Sequence, residues 1–177
     1  MKIDVQTLSR TLGEVLPVKL EIQASELDLS AEYRESLQDI VFDGSISCIE
    51  HGVFRLTGNL TVVRIGSCDR CLAPARQNLK MEIDEQFRRS AGLSDDEPEE
   101  YYGYVGHMIN IDQAIRDNLL LSMPGQLLCR ESCLGFCPVC GRDLNEGPCQ
   151  CQAEPAAGSP FAKLSKLLQD DEDVLRT

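Results

Sequence analysis

Alternating apolar and polar side chains run through most of the first half of the chain and predict β-strands. In Val15–Ile22 apolar residues occupy every second position, the period of a half-buried strand, and Pro17 places the start of this strand at a sheet edge. Two further runs, residues 40–49 and 53–65, are separated only by residues 50–52. This short interval predicts a β-hairpin.

The second strand of that hairpin has one apolar face, made by Phe54, Leu56, Leu60 and Val62. A fourth run, residues 77–87, also alternates and is expected to pair back on its predecessor. The connection between them, residues 66–75, contains Cys68 and Cys71, so a cysteine pair lies in a turn. The pattern predicts an α+β protein built on a mostly antiparallel, barrel-like β-sheet, with one or two helices.

One amphipathic helix is expected in the second half of the chain. Asn110 and Gln113 have the spacing of a capping box, and Pro124 marks the end. The apolar positions between them fall on one helical face: Ile111, Ala114, Ile115 and Leu119. They predict a helix of about three turns that packs on the sheet.

Changes in composition divide the rest of the chain. Residues 91–106 are acidic around Pro98 and indicate a flexible connector. After small residues at 153–158, Ser159 and Pro160 are typical of a helix start, with Phe161, Leu164 and Leu168 in line. The predicted organisation is a β-rich sheet in 1–90, an acidic connector in 91–106, a helix packing on the sheet in 107–128, a cysteine-rich ribbon in 129–152, and a linker, short amphipathic helix and acidic tail in 153–177.

Composition and charge restrict the possible functions. The 177 residues are 42% hydrophobic and 26% charged, as in ordinary globular proteins, and the formal net charge is −12. Such a chain does not coat nucleic acid by bulk charge. No stretch has the roughly 18 apolar residues of a membrane helix, and the first residues lack the apolar run of a secretion signal. We therefore expect a cytoplasmic protein without membrane contact.

Nine cysteines in a chain expected to stay in a reducing compartment indicate metal binding rather than disulfides. Six of them are closely spaced in the cysteine-rich segment, which has little apolar bulk and includes the turn sequence Cys137-Pro138-Val139-Cys140-Gly141. Zinc takes four tetrahedral ligands, and a Cys-x-x-Cys turn supplies two. The preferred single site is Cys137, Cys140, Cys149 and Cys151. In the alternative set, Cys129 or Cys133 replaces one of the last pair.

The remaining thiols allow a second, less certain metal site. Without the strand residue Cys48, eight cysteines are left, the number that two four-thiolate sites use. Cys68 and Cys71 would then join Cys129 and Cys133 and attach the later segment to the sheet. Alternatively, Cys68 and Cys71 form a structural turn without metal or a redox pair, although no thioredoxin-like βαβ pattern surrounds them.

Catalytic chemistry is not indicated. An all-thiolate site leaves no open position for an activated water. The two histidines, His51 and His107, lie at a predicted turn and before a predicted helix, where surface positions are expected. No glycine-rich phosphate loop has the required strand and helix flanks. We predict no catalytic residues and no small-molecule substrate.

A local excess of basic residues indicates a possible contact with RNA. Positions 53 to 80 contain one acidic residue, Asp69, and five basic residues: Arg55, Arg64, Arg70, Arg76 and Lys80. If they share a surface, phosphate is the expected ligand. If they are scattered over the outer faces of two strands, they are ordinary solvated charges.

Several motifs, in order along the chain, resemble one family. They are Cys68-Asp69-Arg70-Cys71-Leu72, Ile111-Asp112, Ile115-Arg116-Asp117, Met123-Pro124, the run from Cys133 to Asn145, the closing Cys149-x-Cys151, and Pro160-Phe161-Ala162-Lys163-Leu164. The family is YceD, the large ribosomal RNA subunit accumulation proteins. Phe136 stands where leucine is commoner in the family, and some relatives lack the C-terminal thiols.

The resemblance implies a bacterial or plastid protein needed for normal accumulation of large-subunit ribosomal RNA. We expect a non-enzymatic factor in ribosome biogenesis that uses zinc and binds large-subunit ribosomal RNA, ribosomal proteins or both. The resemblance assigns no molecular role to the matching residues Cys68, Arg70, Cys71, Arg116 and Asp117. The alternatives are a thiol redox enzyme using Cys68 and Cys71, and a zinc-dependent protein adaptor that does not contact RNA.

Overall fold

The fold was obtained as a computed structural model, which describes residues 1–90 and 101–151. The described residues form two compact units, residues 1–90 with 101–133, and residues 134–151. Within its described residues, the first unit contains seven strands, two α-helices and two short 3-10 helices. The strands are β1 Lys2–Asp4, β2 Val15–Ile22, β3 Leu37–Glu50, β4 Val53–Ser67, β5 Pro74–Arg89, β6 Tyr102–Tyr104 and β7 Met108–Asn110; the α-helices are α1 Ala31–Ser36 and α2 Asp112–Ser122; the 3-10 helices are Leu8–Arg10 and Ala24–Glu26.

The main sheet has five strands in the order β2-β3-β4-β5-β6. The first four are antiparallel neighbours, as predicted, and β6 joins β5 in parallel. A separate antiparallel pair is formed by β1 and β7. In the described residues the main sheet is open, with β2 and β6 as its edges, so the barrel-like closure expected from the sequence is not found.

The predicted alternation determines which face of the sheet is buried. The apolar side chains of β4 that were assigned to one face are all buried: Phe54, Leu56, Leu60 and Val62. Opposite them, Phe42 on β3 and Met81 on β5 pair with Leu60 in register, and both are buried. Burial of this continuous apolar face is the main stabilising contribution to the sheet.

A glycine pair lets β3 and β4 approach closely. Gly44 lies directly opposite Gly58 in the ladder. A Cβ at Gly44 would lie 2.2 Å from the carbonyl oxygen of Thr57 and 2.7 Å from the ring of Phe42. The missing side chains therefore leave the space in which the Phe42 ring packs over the strands.

Helix α2 has the apolar face predicted for it. Ile111, Ala114, Ile115 and Leu119 are completely buried and belong to the same core as the sheet. The helix begins at Asp112, and the side-chain oxygen of Asn110 accepts the N–H of Asp112 at 3.2 Å. The side-chain amide of Asn118 donates to Glu85 on β5 at 2.6 Å. This bond links the polar side of α2 to the sheet.

Two segments without predicted structure contain short elements. The charged segment before β3 includes the 3-10 helix at residues 24–26 and α1. The predicted flexible connector, residues 91–106, is wrong at its C-terminal end, where Tyr102–Tyr104 form β6. Tyr104 is buried, and its hydroxyl donates to the carbonyl of Gly52 at 3.1 Å. The rest of the acidic run, at 91–100, and the predicted linker, amphipathic helix and tail in 153–177 lie outside the described residues.

The described part of the second unit, residues 134–151, is made of turns and contains no helix and no strand longer than one bridge pair. That bridge joins Phe136 and Asp143. Leu134 and Val139 are 65% and 66% exposed, so its large apolar side chains do not form a core. The segment therefore needs another source of order.

Candidate metal centres

The first cysteine cluster combines the turn between β4 and β5 with the segment that follows α2. Cys68 and Cys71 come from the turn, and Cys129 and Cys133 from the later segment. The Sγ atoms of Cys68 and Cys133 are 3.8 Å apart, and those of Cys71 and Cys129 are 3.6 Å apart. All four sulfur atoms lie within 4.8 Å of one another, and none is in a disulfide. The cluster could hold one metal ion.

Backbone hydrogen bonds shape the turn that presents Cys68 and Cys71. The N–H of Cys68 donates to the carbonyl of Ala73 at 2.8 Å, and the N–H of Leu72 donates to the carbonyl of Cys68 at 2.9 Å. Leu72 has a φ of 60°, in the left-handed region. This conformation directs the chain back on itself directly after the second cysteine.

Three side chains from β4 and the β4–β5 turn form hydrogen bonds with the segment that follows α2. The Asp69 carboxylate accepts the N–H of Leu127 at 2.5 Å, and Arg70 donates to the carbonyl of Cys133 at 2.8 Å. Arg64, on β4, donates to the carbonyl of Pro124 at 2.8 Å. Leu127 is 4% exposed and packs in a small apolar cluster with Ala75 and three of the cysteines.

The pKa values of Cys68 and Cys71 shift in opposite directions. Burial raises the pKa of Cys68, but the N–H groups of Cys129, Arg70 and Cys71 outweigh it and lower the pKa to about 6. For Cys71 the N–H of Ala73 lowers the pKa, but burial and hydrogen bonds with the other three sulfurs raise it to about 12. One negative charge is therefore stabilised and a second is disfavoured, a conflict that a bound cation removes.

The second cluster contains Cys137, Cys140, Cys149 and Cys151, and lies wholly in the second unit. Its four sulfur atoms also lie within 4.8 Å of one another and could hold a metal ion. Cys137 is buried, Cys149 and Cys151 are half-buried, and Cys140 is exposed. The second cluster is therefore more accessible to solvent than the first.

Local sequence accounts for the shape of the second turn. The N–H of Gly141, which has a φ of 72°, donates to the carbonyl of Cys137 at 2.9 Å, and the N–H of Val139 points to the Cys137 sulfur at 3.4 Å. The Asn145 side-chain oxygen accepts the N–H of Leu134 at 2.9 Å. Asp143 accepts the backbone N–H of Asn145 at 2.8 Å. These bonds close the loop that contains the Cys137–Cys140 turn.

In the second cluster the pKa values of Cys137 and Cys151 also shift in opposite directions. The N–H of Cys140, then that of Val139, lowers the pKa of Cys137 to about 6. A hydrogen bond with Cys140, then burial, raises the pKa of Cys151 to about 12. Both clusters therefore contain one sulfur that is readily charged next to one that retains its proton.

Two sulfur–sulfur distances in the first cluster can be compared with those of a tetrahedral zinc site. With a Zn–S bond of about 2.3 Å, the edge of a regular tetrahedron is about 3.8 Å. The two sulfur–sulfur distances of 3.6 and 3.8 Å in the first cluster agree with that edge. Four thiolates complete the coordination, so either site would be structural, without a free position for a reacting water.

The structure brings together both predicted groups of four. The alternative in which Cys129 or Cys133 joins the C-terminal group is not adopted, because both lie with Cys68 and Cys71. Cys48 belongs to neither group. It is fully buried in β3, burial raises its pKa, and its thiol donates to the carbonyl of Glu50 at 3.2 Å.

The five basic residues proposed for RNA binding do not share one face. Arg55 and Arg64 are an odd number of positions apart on β4, so they project to opposite faces. Arg55 donates to Asp84 at 2.6 Å, and Arg76 lies 3.6 Å from Asp39. Lys80 and Arg76 are both exposed on β5. The outer face of the sheet thus carries charges of both signs.

Sequence reasoning missed the side chains that support the clusters. Asp69 and Asn145 act through backbone N–H groups of distant residues, and their only sequence signal is their place inside or just after a cysteine turn. It also missed a cation–π pair, in which the Arg88 guanidinium lies 4.1 Å from the centre of the Tyr101 ring.

The fold and the clusters define the class of protein, a small α+β protein with two four-cysteine groups of the structural-metal type. A family model described as "Large ribosomal RNA subunit accumulation protein YceD" matches residues 56–168. The chain therefore belongs to the YceD family, as the sequence motifs predicted. Membership implies a role in the accumulation of the large ribosomal RNA subunit. The matched region contains all eight clustered cysteines.

Curated relatives come from mycobacteria. Uncharacterized proteins of Mycobacterium tuberculosis strain H37Rv and of Mycobacterium bovis are each 29% identical to the chain, over 99% of its length and 85% of theirs. An uncharacterized protein of Mycobacterium leprae is 23% identical over 80% of the chain and 66% of its own length. No solved structure matches the chain.

Among the described residues, no helix has both the length and the apolar character needed to cross a membrane.

Proposed function

We propose that this protein is a non-enzymatic factor that supports accumulation of large-subunit ribosomal RNA during ribosome biogenesis in the cytoplasm. The observation that carries the proposal is the family match over residues 56–168. That region contains β5, α2 and every residue of both cysteine clusters. Both cysteine clusters and the family assignment thus refer to the same part of the chain.

Zinc is the proposed cofactor of both clusters. Four closely spaced thiols and no histidine or carboxylate ligand favour zinc over magnesium or calcium, which prefer oxygen. In the first unit the metal would join the β4–β5 turn to the segment after α2. In the second unit it would order turns that have no apolar core. The metal would thus shape surfaces and take no part in a reaction.

The proposed partners are large-subunit ribosomal RNA and ribosomal proteins. Three of the basic residues are exposed: Arg70, Arg76 and Lys80. Because Arg70 and Arg76 lie at or near the β4–β5 turn, they offer a local contact for phosphate, although the net charge of the whole chain is −12. Arg76 also faces Asp39, but at 3.6 Å; Arg55, which makes two hydrogen bonds to Asp84, and Arg64, which donates to the Pro124 carbonyl, would contribute less. The acidic remainder of the chain suits basic ribosomal proteins.

Crosslinking in cells tests the RNA contact. We expect the full chain to crosslink to large-subunit ribosomal RNA, and Arg76→Glu with Lys80→Glu to reduce the yield several-fold. Lys19→Glu, on the same outer face but on the edge strand β2, is the matched control and should retain the yield. Equal crosslinking by all variants would contradict the proposed face, and no crosslink together with no ribosomal protein in a pull-down would contradict the proposal.

Complementation tests the biological role. In cells lacking the protein we expect a decreased ratio of large- to small-subunit ribosomal RNA, restored by the wild-type chain. Cys71→Ser and Cys140→Ser each remove one ligand from one cluster and should restore the ratio less well. An unchanged ratio in the deletion strain would contradict the family-based role in this protein.

One observation favours a second candidate, a thiol redox enzyme that uses Cys68 and Cys71. The lowered pKa of Cys68, about 6, is typical of a reactive thiolate. The Cys68 side chain is, however, 0% exposed. Alkylation with and without a zinc chelator separates the two functions, because a redox pair reacts without chelation and a zinc site reacts only after it. A zinc-dependent adaptor, the third hypothesis, would retain protein partners and give no RNA crosslink.

A further inference from the structure

The first cluster takes its ligands from two segments that are far apart in the chain. Cys71 and Cys129 are 58 positions apart. The second cluster, in contrast, takes all four ligands from residues 137–151. Closing a long loop costs conformational entropy before any metal–sulfur bond forms. Groups that hold the two segments together without metal therefore decrease the cost of binding the ion.

Asp69 provides such a connection, because it hydrogen-bonds both the backbone carbonyl and the backbone N–H of Leu127. The N–H of Asp69 donates to the carbonyl of Leu127 at 2.8 Å, and the N–H of Leu127 donates to the Asp69 carboxylate at 2.5 Å. The second bond has an ionised acceptor and belongs to the stronger class of hydrogen bonds. Leu127 is buried and Asp69 is exposed, so the bonds are partly shielded from water.

Arg70 makes the second connection, directly to a ligand residue. Its guanidinium donates to the carbonyl of Cys133 at 2.8 Å. The sulfur of Cys133 lies 3.8 Å from that of Cys68, the cysteine two positions before Arg70. Fixing the Cys133 backbone from this turn sets the distance between ligands of the two segments.

Neither side chain is needed as a ligand. The four sulfur atoms complete a tetrahedral set, and the Asp69 carboxylate is engaged by Leu127. We propose that Asp69 and Arg70 are positioning residues that assemble the first metal site before the ion binds and thereby determine its affinity. This inference rests on zinc binding as stated under the proposed function.

Site-resolved alkylation of the full, zinc-loaded chain tests the inference. The protein is equilibrated with increasing chelator, alkylated briefly, and analysed by mass spectrometry for each cysteine. For Asp69→Ala and for Arg70→Gln we expect the first cluster to lose protection at about 10- to 100-fold lower chelator concentration than in the wild type. The second cluster, in the same molecules, should lose protection at the wild-type concentration.

Two further variants separate positioning from general stability. Asp69→Asn retains an oxygen that accepts the Leu127 N–H and should restore most of the protection. Asp84→Ala removes an exposed carboxylate that pairs with Arg55, ten positions along β5 from the turn that contains Cys68 and Cys71, and should match the wild type. This pattern would support the positioning role.

Three results would overturn the inference. The first is that Asp69→Ala and Arg70→Gln both release zinc at the same chelator concentration as the wild type. The second is that, in these variants, both clusters lose protection at the same lowered chelator concentration. The third is a wild-type first cluster that is alkylated fully without chelator, which would overturn the zinc assignment as well. Failure of RNA crosslinking with intact zinc protection would contradict the proposed RNA partner and leave this inference unaffected.

Discussion

Leu72 occupies in the first cysteine turn the backbone position that Gly141 occupies in the second. Each residue directly follows the second cysteine, has a left-handed φ, 60° and 72°, and donates its N–H to the carbonyl of the first cysteine at 2.9 Å. For a residue with a side chain this conformation costs roughly 1–2 kcal/mol. Because Leu72 is 69% exposed, burial of its side chain offsets little of that cost.

We predict that Leu72→Gly stabilises the first unit. Relief of the left-handed strain exceeds the added flexibility of the unfolded chain, so the free energy of unfolding should rise by about 0.5–1 kcal/mol. Denaturant titration of the zinc-loaded protein measures the change. The reciprocal variant Gly141→Leu should lower the chelator concentration at which the second cluster opens. A destabilised Leu72→Gly would mean that the leucine side chain makes a stabilising contact.

Substitution of Gly44 should be strongly destabilising. A methyl group at this position would lie 2.2 Å from the Thr57 carbonyl oxygen, so the β3–β4 ladder would have to separate locally. We expect Gly44→Ala to lower the free energy of unfolding by about 3 kcal/mol or to prevent soluble expression. Gly125→Ala is the control, since no atom lies within 4 Å of its added Cβ. Equal stability of the two variants would contradict the close approach of the strands.

Metal removal should affect the second unit more than the sheet. The N–H of Cys137 donates to the Arg142 carbonyl and that of Leu144 to the Gly135 carbonyl, in a segment without an apolar core. Chelation under reducing conditions should abolish hydrogen-exchange protection at both amides. The amide of Leu60, in the central strand β4, should retain its protection. Protection of residues 137 and 144 without metal would show that the turns are stable by themselves.

The Arg55–Asp84 ion pair should lose its effect in acid. A hydrogen bond from Arg55 lowers the pKa of Asp84, so this pair stabilises the folded state at pH values above the unfolded pKa of about 4. The contribution disappears as the pH falls through the lower, folded pKa. A double-mutant cycle with Arg55→Gln and Asp84→Asn should show coupling at neutral pH and none in acid. Because both side chains are about half exposed, high salt should also weaken it.

The long strands of the fold could be predicted because the alternation of apolar and polar residues repeats several times along each of them. Strands β2 to β5 have between 8 and 16 residues, enough for a period of two to be evident. Strands β1, β6 and β7 have three residues each, too few to establish any period. β6 also pairs in parallel with β5, a contact that depends on tertiary structure. Sheet closure depends on how the edges meet, which alternation does not specify.

For the candidate site, thiol spacing indicated the ligand groups but not their supports. Asp69 binds the backbone of Leu127, and backbone partners leave no mark in the residue pattern. The proposed basic surface was estimated from a segment that ends at Lys80 and so excluded Asp84. It also ignored strand parity, which separates Arg55 from Arg64. Counting charges along a strand therefore overestimated the charge of one face.

The distance in sequence between Cys71 and Cys129 has a consequence during synthesis. Translation must proceed to Cys133 before the first site has all of its sulfurs, by which time β3, β4 and β5 have already been synthesised. The second site follows within a further 18 residues. Until the chain reaches Cys133, Cys68 and Cys71 lack their two partner thiols, so the first site can receive its ion only late in synthesis.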